Sequence, residues 1–334
     1  MTTPLIIGGA GFIGSSLVRE LAAQGPVRVF DDLSTGRHDN IANVGGVDFV
    51  DGSILDEAAV ARALTDVSVV YHLACLGVRH SIQHPLANHA VNAFGTLKVL
   101  EEARRQRRSR VVYVSTSEVY GSAQRVPMTE SHPTWPHTVY GSAKLAGEAY
   151  TRAYHRTYGL ETVVIRPFNA YGPRSHHEGD SGEVIPKFVV RAMNRLPALV
   201  FGDGHQTRDF TFVSDTARAI AKAGTAPEAV GETINVGSGS ETSILELATF
   251  VAKATGRTDL EPEFNPPRPG DVLRLHADSS KARRVLSWQP EVSLTEGLEL
   301  LLAWHAEQRT NWAAALAEDV AHNWTAAEPT GGES

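Results

Sequence analysis

The stretch Gly8-Gly9-Ala10-Gly11-Phe12-Ile13-Gly14 constrains this chain more than any other. A short apolar run, Leu5-Ile6-Ile7, leads into it, and a helical pattern from Phe12 to Ala23 leads out. A buried strand that turns sharply into a helix needs glycine, because side chains block the turn and keep a phosphate away from the backbone. The free N–H groups at the helix start then face an anion. The glycines acquire meaning from the next strand. That strand, Val27-Arg28-Val29-Phe30, ends in Asp31 and Asp32. A carboxylate at that strand end accepts hydrogen bonds from the adenosine ribose hydroxyls and repels a 2′-phosphate, so the pattern predicts a dinucleotide site for NAD rather than NADP. Gly8, Gly11, Phe12, Ile13, Gly14, Asp31 and Asp32 form its predicted core.

The same rhythm continues. Apolar strands are expected at Val47–Asp51, Val67–His72, Val111–Ser115 and Glu161–Ile165, with helices at about Asp56–Leu64, Pro85–Glu102 and Val139–Tyr158. Short strands alternating with helices predict an α/β fold, a Rossmann-type doubly wound parallel sheet whose ligands sit at the carboxyl ends of the strands. Gly8, Asp31, Leu73-Ala74, Thr116 and Pro167-Phe168-Asn169 all lie at such ends. The alternation fades after residue 170. The expected layout is a dinucleotide domain over residues 1–170, joined by core segments returning from the C-terminal half. A smaller mixed α/β lobe follows over 171–324, and a small, polar, disordered tail over 325–334. In that lobe a helix is expected at Val184–Asn194, strands at Leu199–Phe201 and Phe210–Phe212, and helices near Asp215, Leu245 and Leu294.

The chain of 334 residues carries a net charge of −7, which argues against nucleic acid as a partner. One cysteine, Cys75, excludes an internal disulfide framework and reads as a small packing residue. No apolar run is long enough to span a bilayer, and Met1-Thr2-Thr3-Pro4 enters the first strand directly. The expectation is a cytoplasmic protein with no membrane association. Arg104, Arg105, Arg107 and Arg108 read as a solvated helix end that complements the helix dipole. His80, His84 and His89 are spaced like metal ligands, but no Cys or acid cluster completes a metal site.

The chemistry is expected where strand five ends, at Ser115-Thr116-Ser117-Glu118. Tyr140-Gly141-Ser142-Ala143-Lys144 follows downstream. Residues four apart share a helix face, so Tyr140 and Lys144 point the same way. A lysine cation beside a phenol favours the phenolate, and a hydroxyl such as Thr116 holds an alcohol against it. Such a triplet suits removal of a proton from an alcohol while hydride leaves its carbon for a nicotinamide.

Through these residues the chain resembles the extended short-chain dehydrogenase/reductases that act on nucleotide sugars. The resemblance runs from Leu5 to about Trp304. It includes Asn92, the run Arg166-Pro167-Phe168-Asn169-Ala170-Tyr171-Gly172-Pro173, the run Gly202 to Phe210, and Arg268-Pro269-Gly270-Asp271. It implies a nucleotide-diphosphate sugar as substrate and a homodimer built on the helices Pro85–Glu102 and Val139–Tyr158. It places Ser53, Ile54, Leu73, Ala74, Asn92, Tyr140, Lys144 and Pro167 at the cofactor. Asn169 and Arg208 fall near the substrate phosphates, and Arg268 and Asp271 at the diphosphate and nucleoside ribose. Arg79, Ser117, Val184 and Phe201 complete the substrate side. Ser53 stands where many epimerases carry an acid that touches the adenine amine. His176 and His177 lie in the substrate-side loop.

Two signals conflict over the reaction. Glu118, two residues past Thr116, resembles the base of the 4,6-dehydratases and the glutamate of the glucuronate decarboxylases. Yet dehydratases of the glucose type place Asp directly after the Thr, where this chain has Ser117. Arg268 to Asp271 and the residues after it, Val272 to Asp278, resemble the 4-epimerases, and Gly77 to Ser81 resembles epimerases that accept acidic or bulky C5 groups. The balance favours an NAD-dependent 4-epimerase, with dehydratase or decarboxylase as the alternative. A non-enzymatic NAD-binding regulator is remote, because Thr116, Tyr140 and Lys144 are all intact.

Overall fold

Strand β1 (Thr3–Ile7) lies at the centre of the molecule because its side chains are apolar on both faces, as a strand covered by helices on both sides requires. The computed structural model describes residues 3–108, 110–268 and 271–320; Pro269, Gly270 and the expected tail lie outside these. At the end of β1 the chain turns at Gly8, with φ +82°, into helix α1 (Phe12–Ala22). A Cβ on Gly8 would come within 2.5 Å of the Ala74 nitrogen, and one on Gly14 within 2.0 Å of the Gly8 carbonyl oxygen. Both positions therefore require glycine.

Strands β2 (Val27–Asp31), β3 (Val47–Asp51), β4 (Val67–His72), β5 (Arg110–Val114) and β6 (Glu161–Pro167) follow, with helix α2 (Glu57–Ala63) between β3 and β4. The sheet is wholly parallel. From one edge it runs Thr233–Val236, β6, β5, β4, β1, β2, β3. The strand order reverses direction beside β1, at the β1/β4 boundary, which is where an open α/β sheet leaves a crevice. The seventh strand, Thr233–Val236, is not among the strands expected from the sequence. It joins the sheet because Ile234 and Val236 are fully buried beside β6.

One face of the sheet packs Ile6, Val29, Val112 and Ile165 against α1 and a helix from the second half, Val213–Ala223. The other face packs Leu5, Ile7 and Phe30 against α2 and residues of the long helices. A separate core, with Ile185, Phe188, Val200, Leu247 and Leu298, lies under the smaller lobe.

The helix expected over Pro85–Glu102 is not continuous. Short helices α3 (Val78–Gln83) and α4 (Pro85–His89) precede a π-helical turn over Ala90–Gly95, and α5 (Thr96–Arg105) completes the run. The wider turn brings Asn92 round to the loop after β4, where it bonds both the N–H and the carbonyl of Leu76 at 2.9 Å. Helix α6 (Val139–Tyr158) is capped by the Thr138 side chain and ends at Gly159 in the left-handed region. The arginines after α5 behave as a helix end: Arg104 pairs with Glu101 at 2.5 Å, and Arg108 donates to the Val67 carbonyl.

Helix α6 is tied to the sheet by a buried network. Glu148, wholly buried, takes two hydrogen bonds from Arg166 on β6, at 2.8 and 2.6 Å, and one from Ser115 at 2.6 Å. Arg166 also donates to the Tyr120 hydroxyl, which donates to Asn235 on the last strand. Burial alone would raise the Glu148 pKa, but Arg166, Ser115 and Arg152 together hold it below the ordinary carboxylate value. Its contribution to stability is therefore present above the unfolded pKa of about 4.3 and is lost as the pH falls through the lower folded value. Arg166→Met strands a buried carboxylate and is expected to cost about 3–5 kcal/mol in a denaturant melt at pH 7. A loss below about 1 kcal/mol would show the pair to be dispensable.

Candidate active site

The glycine turn leaves the N–H groups of Phe12, Ile13 and Gly14 at the start of α1, and no side chain caps them. Asp31 lies directly behind. Its Oδ2 accepts from the Ala10 N–H and its Oδ1 from the Leu33 N–H, each at 2.9 Å. Burial, with the neighbouring Asp32 and Asp51, raises the Asp31 pKa despite these two bonds. Asp31 thus fixes the glycine loop and still offers lone pairs toward the cleft that it lines. Asp32 accepts from the Ser34 N–H and lines the same cleft, as do Ser53, Ile54, Leu73, Ala74 and Pro167. A glycine cradle, an uncapped helix start and a ribose-height carboxylate fit a dinucleotide. Asn92 stands apart: it is fully buried behind Leu76 and holds the loop that lines the cleft rather than lining it.

The crevice has a volume of about 1090 Å³ and continues from the glycine turn across the strand ends into the smaller lobe. Pockets for one drug-sized ligand run to roughly 300–1,000 Å³, so this crevice is larger than one such ligand needs. Thr116, Tyr140 and Lys144 meet at its middle. Thr116 stands beside the Tyr140 phenol and favours its ionised form, and Thr116 Oγ1 accepts from the Glu118 N–H at 3.2 Å. Lys144, 2% exposed, donates to the Val114 carbonyl at 2.6 Å and lies 4.5 Å from the centre of the Tyr113 ring.

The electrostatics differ from the sequence expectation. Burial pushes the Tyr140 phenol well above its ordinary value, and Cys75, Glu118 and Glu183 add to the effect against the Thr116 hydrogen bond. Burial also lowers Lys144. A lysine engaged with a backbone carbonyl does not by itself draw the phenol to neutrality, because the low-dielectric site penalises both ionised forms. Cys75, read as a packing residue, instead lines the cleft beside this pair.

Each expected substrate residue lines the same cleft: Arg79, Ser117, Asn169, Val184, Phe201, Arg208, Arg268 and Asp271. Arg208 pairs with Asp271 at 2.5 Å and donates to the Val272 carbonyl at 2.6 Å. Arg268 lies 4.6 Å over the Phe201 ring, and burial beside Arg79 brings its pKa down to about 10. Asn169 Oδ1 is buried and has no hydrogen-bond partner among the described residues, as befits an acceptor kept for a ligand. Glu118 lines the cleft with its pKa raised by burial, partly offset by Arg208, His137 and Arg79.

The loop after Tyr171 adds groups that no motif announced. Arg174 reaches back to the hydroxyls of Ser15 and Ser16 on α1, at 3.0 and 3.1 Å. His176 pairs with Glu178 at 3.0 Å; burial disfavours its charge, but Glu178 outweighs this and raises its pKa. Glu183, just before helix α7 (Val184–Met193), lines the cleft, and burial pushes its pKa up to about 7. Its only sequence signal is its place beside Val184. Of the three spaced histidines, His80 lines the cleft and stacks 5.1 Å from His84.

Comparison with known proteins agrees with this geometry. Residues 5–301 match the family described as GDP-mannose 4,6 dehydratase. The chain is 41% identical over 302 residues to the UDP-glucose 4-epimerase of Mycolicibacterium smegmatis, covering 88% of this chain and 95% of that protein. The crystal structure of the UDP-glucose 4-epimerase of Thermotoga maritima with UDP-glucose is 34% identical. It superposes with a TM-score of 0.87 over 92% of this chain and 100% of that one. The dTDP-glucose 4,6-dehydratase of Streptomyces venezuelae with NAD bound is also 34% identical, with a TM-score of 0.88 over 94% and 99% of the two chains. The match spans nearly the whole chain in sequence and in fold: the chain belongs to this family of nucleotide-sugar epimerases and dehydratases, the extended short-chain dehydrogenase/reductases.

Proposed function

We propose that this enzyme is an NAD-dependent nucleotide-sugar 4-epimerase. The observation that carries the reading is the make-up of the catalytic corner. Tyr140, with Thr116 beside it, is the group placed to exchange a proton with an alcohol, and Glu118 is the only carboxyl between Ser115 and Gly121. The dinucleotide, when bound, supplies a hydride acceptor and a positive charge. Tyr140 needs a nearby cation to ionise in so buried a site, and that charge would serve it. Tyr140 then takes the proton of the sugar 4-hydroxyl, Thr116 orients that hydroxyl, and Lys144 holds the phenol's surroundings positive. Arg208, Arg268 and Asn169 grip the diphosphate, leaving the sugar free to turn so that its 4-keto form receives hydride on the other face. A 41% identical UDP-glucose 4-epimerase supports the same choice.

The second reading is a lyase, a 4,6-dehydratase or a uronate decarboxylase, favoured by Glu118 in the cleft wall. A dehydratase must take the C5 proton and protonate the leaving 6-hydroxyl. Here the residue between Thr116 and Glu118 is Ser117, a hydroxyl too weakly acidic for the second task. The proposal also includes a homodimer. Leu86 is 85% exposed, and Phe94 and Tyr158 are exposed on the α4–α5 run and on α6, where a second copy would cover them. A cytoplasmic location belongs to the same proposal; among the described residues no helix is long and apolar enough to cross a membrane.

Cofactor released by heat denaturation should be NAD, and Asp31→Ala should weaken both its retention and the preference over NADP; recovery of NADP alone would contradict the role of Asp31. Tyr140→Phe should lower turnover roughly 10²–10⁴-fold. In heavy water the product should carry no deuterium at C5, and a 4-deuterated substrate should return its label to C4. Deuterium at C5, or loss of the 6-hydroxyl or a C5 carboxylate, would make the enzyme a lyase. Leu86→Glu should convert a dimer to a monomer by light scattering.

A further inference from the structure

Residues 311–320 follow helix α7 backwards, from its C-terminal end to the loop that precedes it. At the start His305 is buried, its ring centre 4.8 Å from those of both Trp304 and Trp312, and its Nδ1 meets the Thr310 hydroxyl at 2.9 Å. Burial brings its pKa down to about 4, so the ring packs as a neutral aromatic. Asn311 caps the short helix Trp312–Ala317, and Asn194, at the end of α7, donates to the Trp312 carbonyl at 2.8 Å. Further on, the Asp319 side chain is only 4% exposed and pairs with Lys187 and Arg191 of α7, at 3.1 and 3.6 Å. Lys187 also donates to the Val320 carbonyl at 2.6 Å. Glu318 reaches the loop itself. Its carbonyl accepts from the Gly179 N–H at 3.2 Å, and its carboxylate lies 3.4 Å from His177 Nε2. None of the described residues of this segment lines the crevice.

The loop held in this way, residues 175–183, borders both halves of the crevice, which His176, Glu178, Ser181 and Glu183 line. On the dinucleotide side Glu178 pairs with Arg37 at 3.7 Å, and the Arg37 N–H bonds the Ala10 carbonyl of the glycine turn at 3.1 Å. That pair is long, and the Arg37 side chain is 61% exposed, so it holds the loop weakly. On the far side, residues 318–320 supply ion pairs and backbone bonds shielded from water. The charges there need that partner. Burial disfavours the Lys187 ammonium, and Arg79 and Arg268 of the crevice disfavour it further; Asp319 is the group that answers them. Without Asp319, Lys187 and Arg191 would keep their charges in a half-dry site with no carboxylate between them.

We propose that residues 311–320 form a strap that holds the 175–183 loop closed over the crevice, and that parting of the Asp319–Lys187 contact is the opening through which dinucleotide and nucleotide leave. Loops that close a site commonly set the rate of release in this way, by local opening rather than unfolding. The strap rests on the reading of the crevice as the seat of both ligands and is indifferent to which reaction follows.

The test compares full-length wild type with Asp319→Ala and with the milder Glu318→Ala. Amide hydrogen exchange of peptides covering 175–183 is followed by mass spectrometry in ligand-free protein. The dissociation rate of NADH is read from its fluorescence on chasing with excess NAD, and that of UDP from surface plasmon resonance. Asp319→Ala should speed exchange at 175–183 and both dissociation rates about 10-fold, the scale of one lost hydrogen bond to a charged group. Glu318→Ala, which removes a contact made by a half-exposed side chain, should do so about 2-fold. Peptides of the lobe core that hold Phe188, Val200 and Leu247 should exchange as in wild type, which marks the opening as local. The proposal is overturned if exchange at 175–183 stays at the wild-type rate, if the loop is freed while both ligands leave no faster, or if the lobe core loosens as much as the loop. Where Asp319→Ala does not fold, unchanged rates in Glu318→Ala overturn it equally. Wild type that binds neither NADH nor UDP would sink the reading of the crevice instead, while exchange would still report whether the strap holds the loop.

Discussion

The buried pair between Glu148 and Arg166 holds together the parts on which the rest of the site depends. Helix α6 carries Tyr140 and Lys144 on its first two turns and Glu148 one turn beyond Lys144. Strand β5 leads into Ser115, which binds Glu148, and Thr116 comes directly after it. Strand β6 carries Arg166 and leads to Asn169. A carboxylate that deep in a protein is costly unless every lone pair is met, and here Arg166, Ser115 and Arg152 meet them. Satisfying that one charge therefore sets the distance between the hydroxyl, the phenol and the ammonium. The chain of bonds continues through Tyr120 to Asn235, so the last strand is registered by the same network.

A second constraint comes from the sheet. Because β1 and β4 are neighbours while their following segments diverge, the loops after β1, β4, β5 and β6 open onto one crevice. The smaller lobe closes the far side, and Arg174, anchored on Ser15 and Ser16, links its loop to the helix of the glycine turn. The two ligand sites are thus parts of one groove. The glycine turn and the loop that presents His176, Glu178 and Glu183 line the same groove.

How much of the molecule is legible in the sequence depends on how local each signal is. Gly8, Gly14 and Asp31 are dictated by backbone geometry and by one neighbouring strand, and they stand where the pattern places them. Tyr140 and Lys144 are four apart on one helix, a relation that spacing alone fixes. The break in the helix at Ala90–Gly95 is not legible, because its cause is a distant loop: Asn92 turns inward to hold Leu76, and Gly95 has no Cβ to clash with Ile54. The strand Thr233–Val236 is equally hidden, a short apolar run whose partner, Val164–Pro167, lies far back in the chain. Glu183 is hidden for a different reason. A lone glutamate carries no pattern, and only burial and the want of a partner mark it out.

The electrostatics of the catalytic corner then follow from its burial rather than from its residue types. By residue type alone, a phenol beside a lysine reads as an ionised acid–base pair. In the folded chain Lys144 donates to the Val114 carbonyl, burial presses Tyr140 toward its neutral form, and two carboxyls of the cleft, Glu118 and Glu183, press the same way. In such an arrangement the neutral phenol is favoured, and a positive charge beside it would favour the phenolate. A nicotinamide held in the groove would supply that charge in its oxidised form and not in its reduced form, so Tyr140 would ionise more readily when it has to accept a proton than when it has to return one.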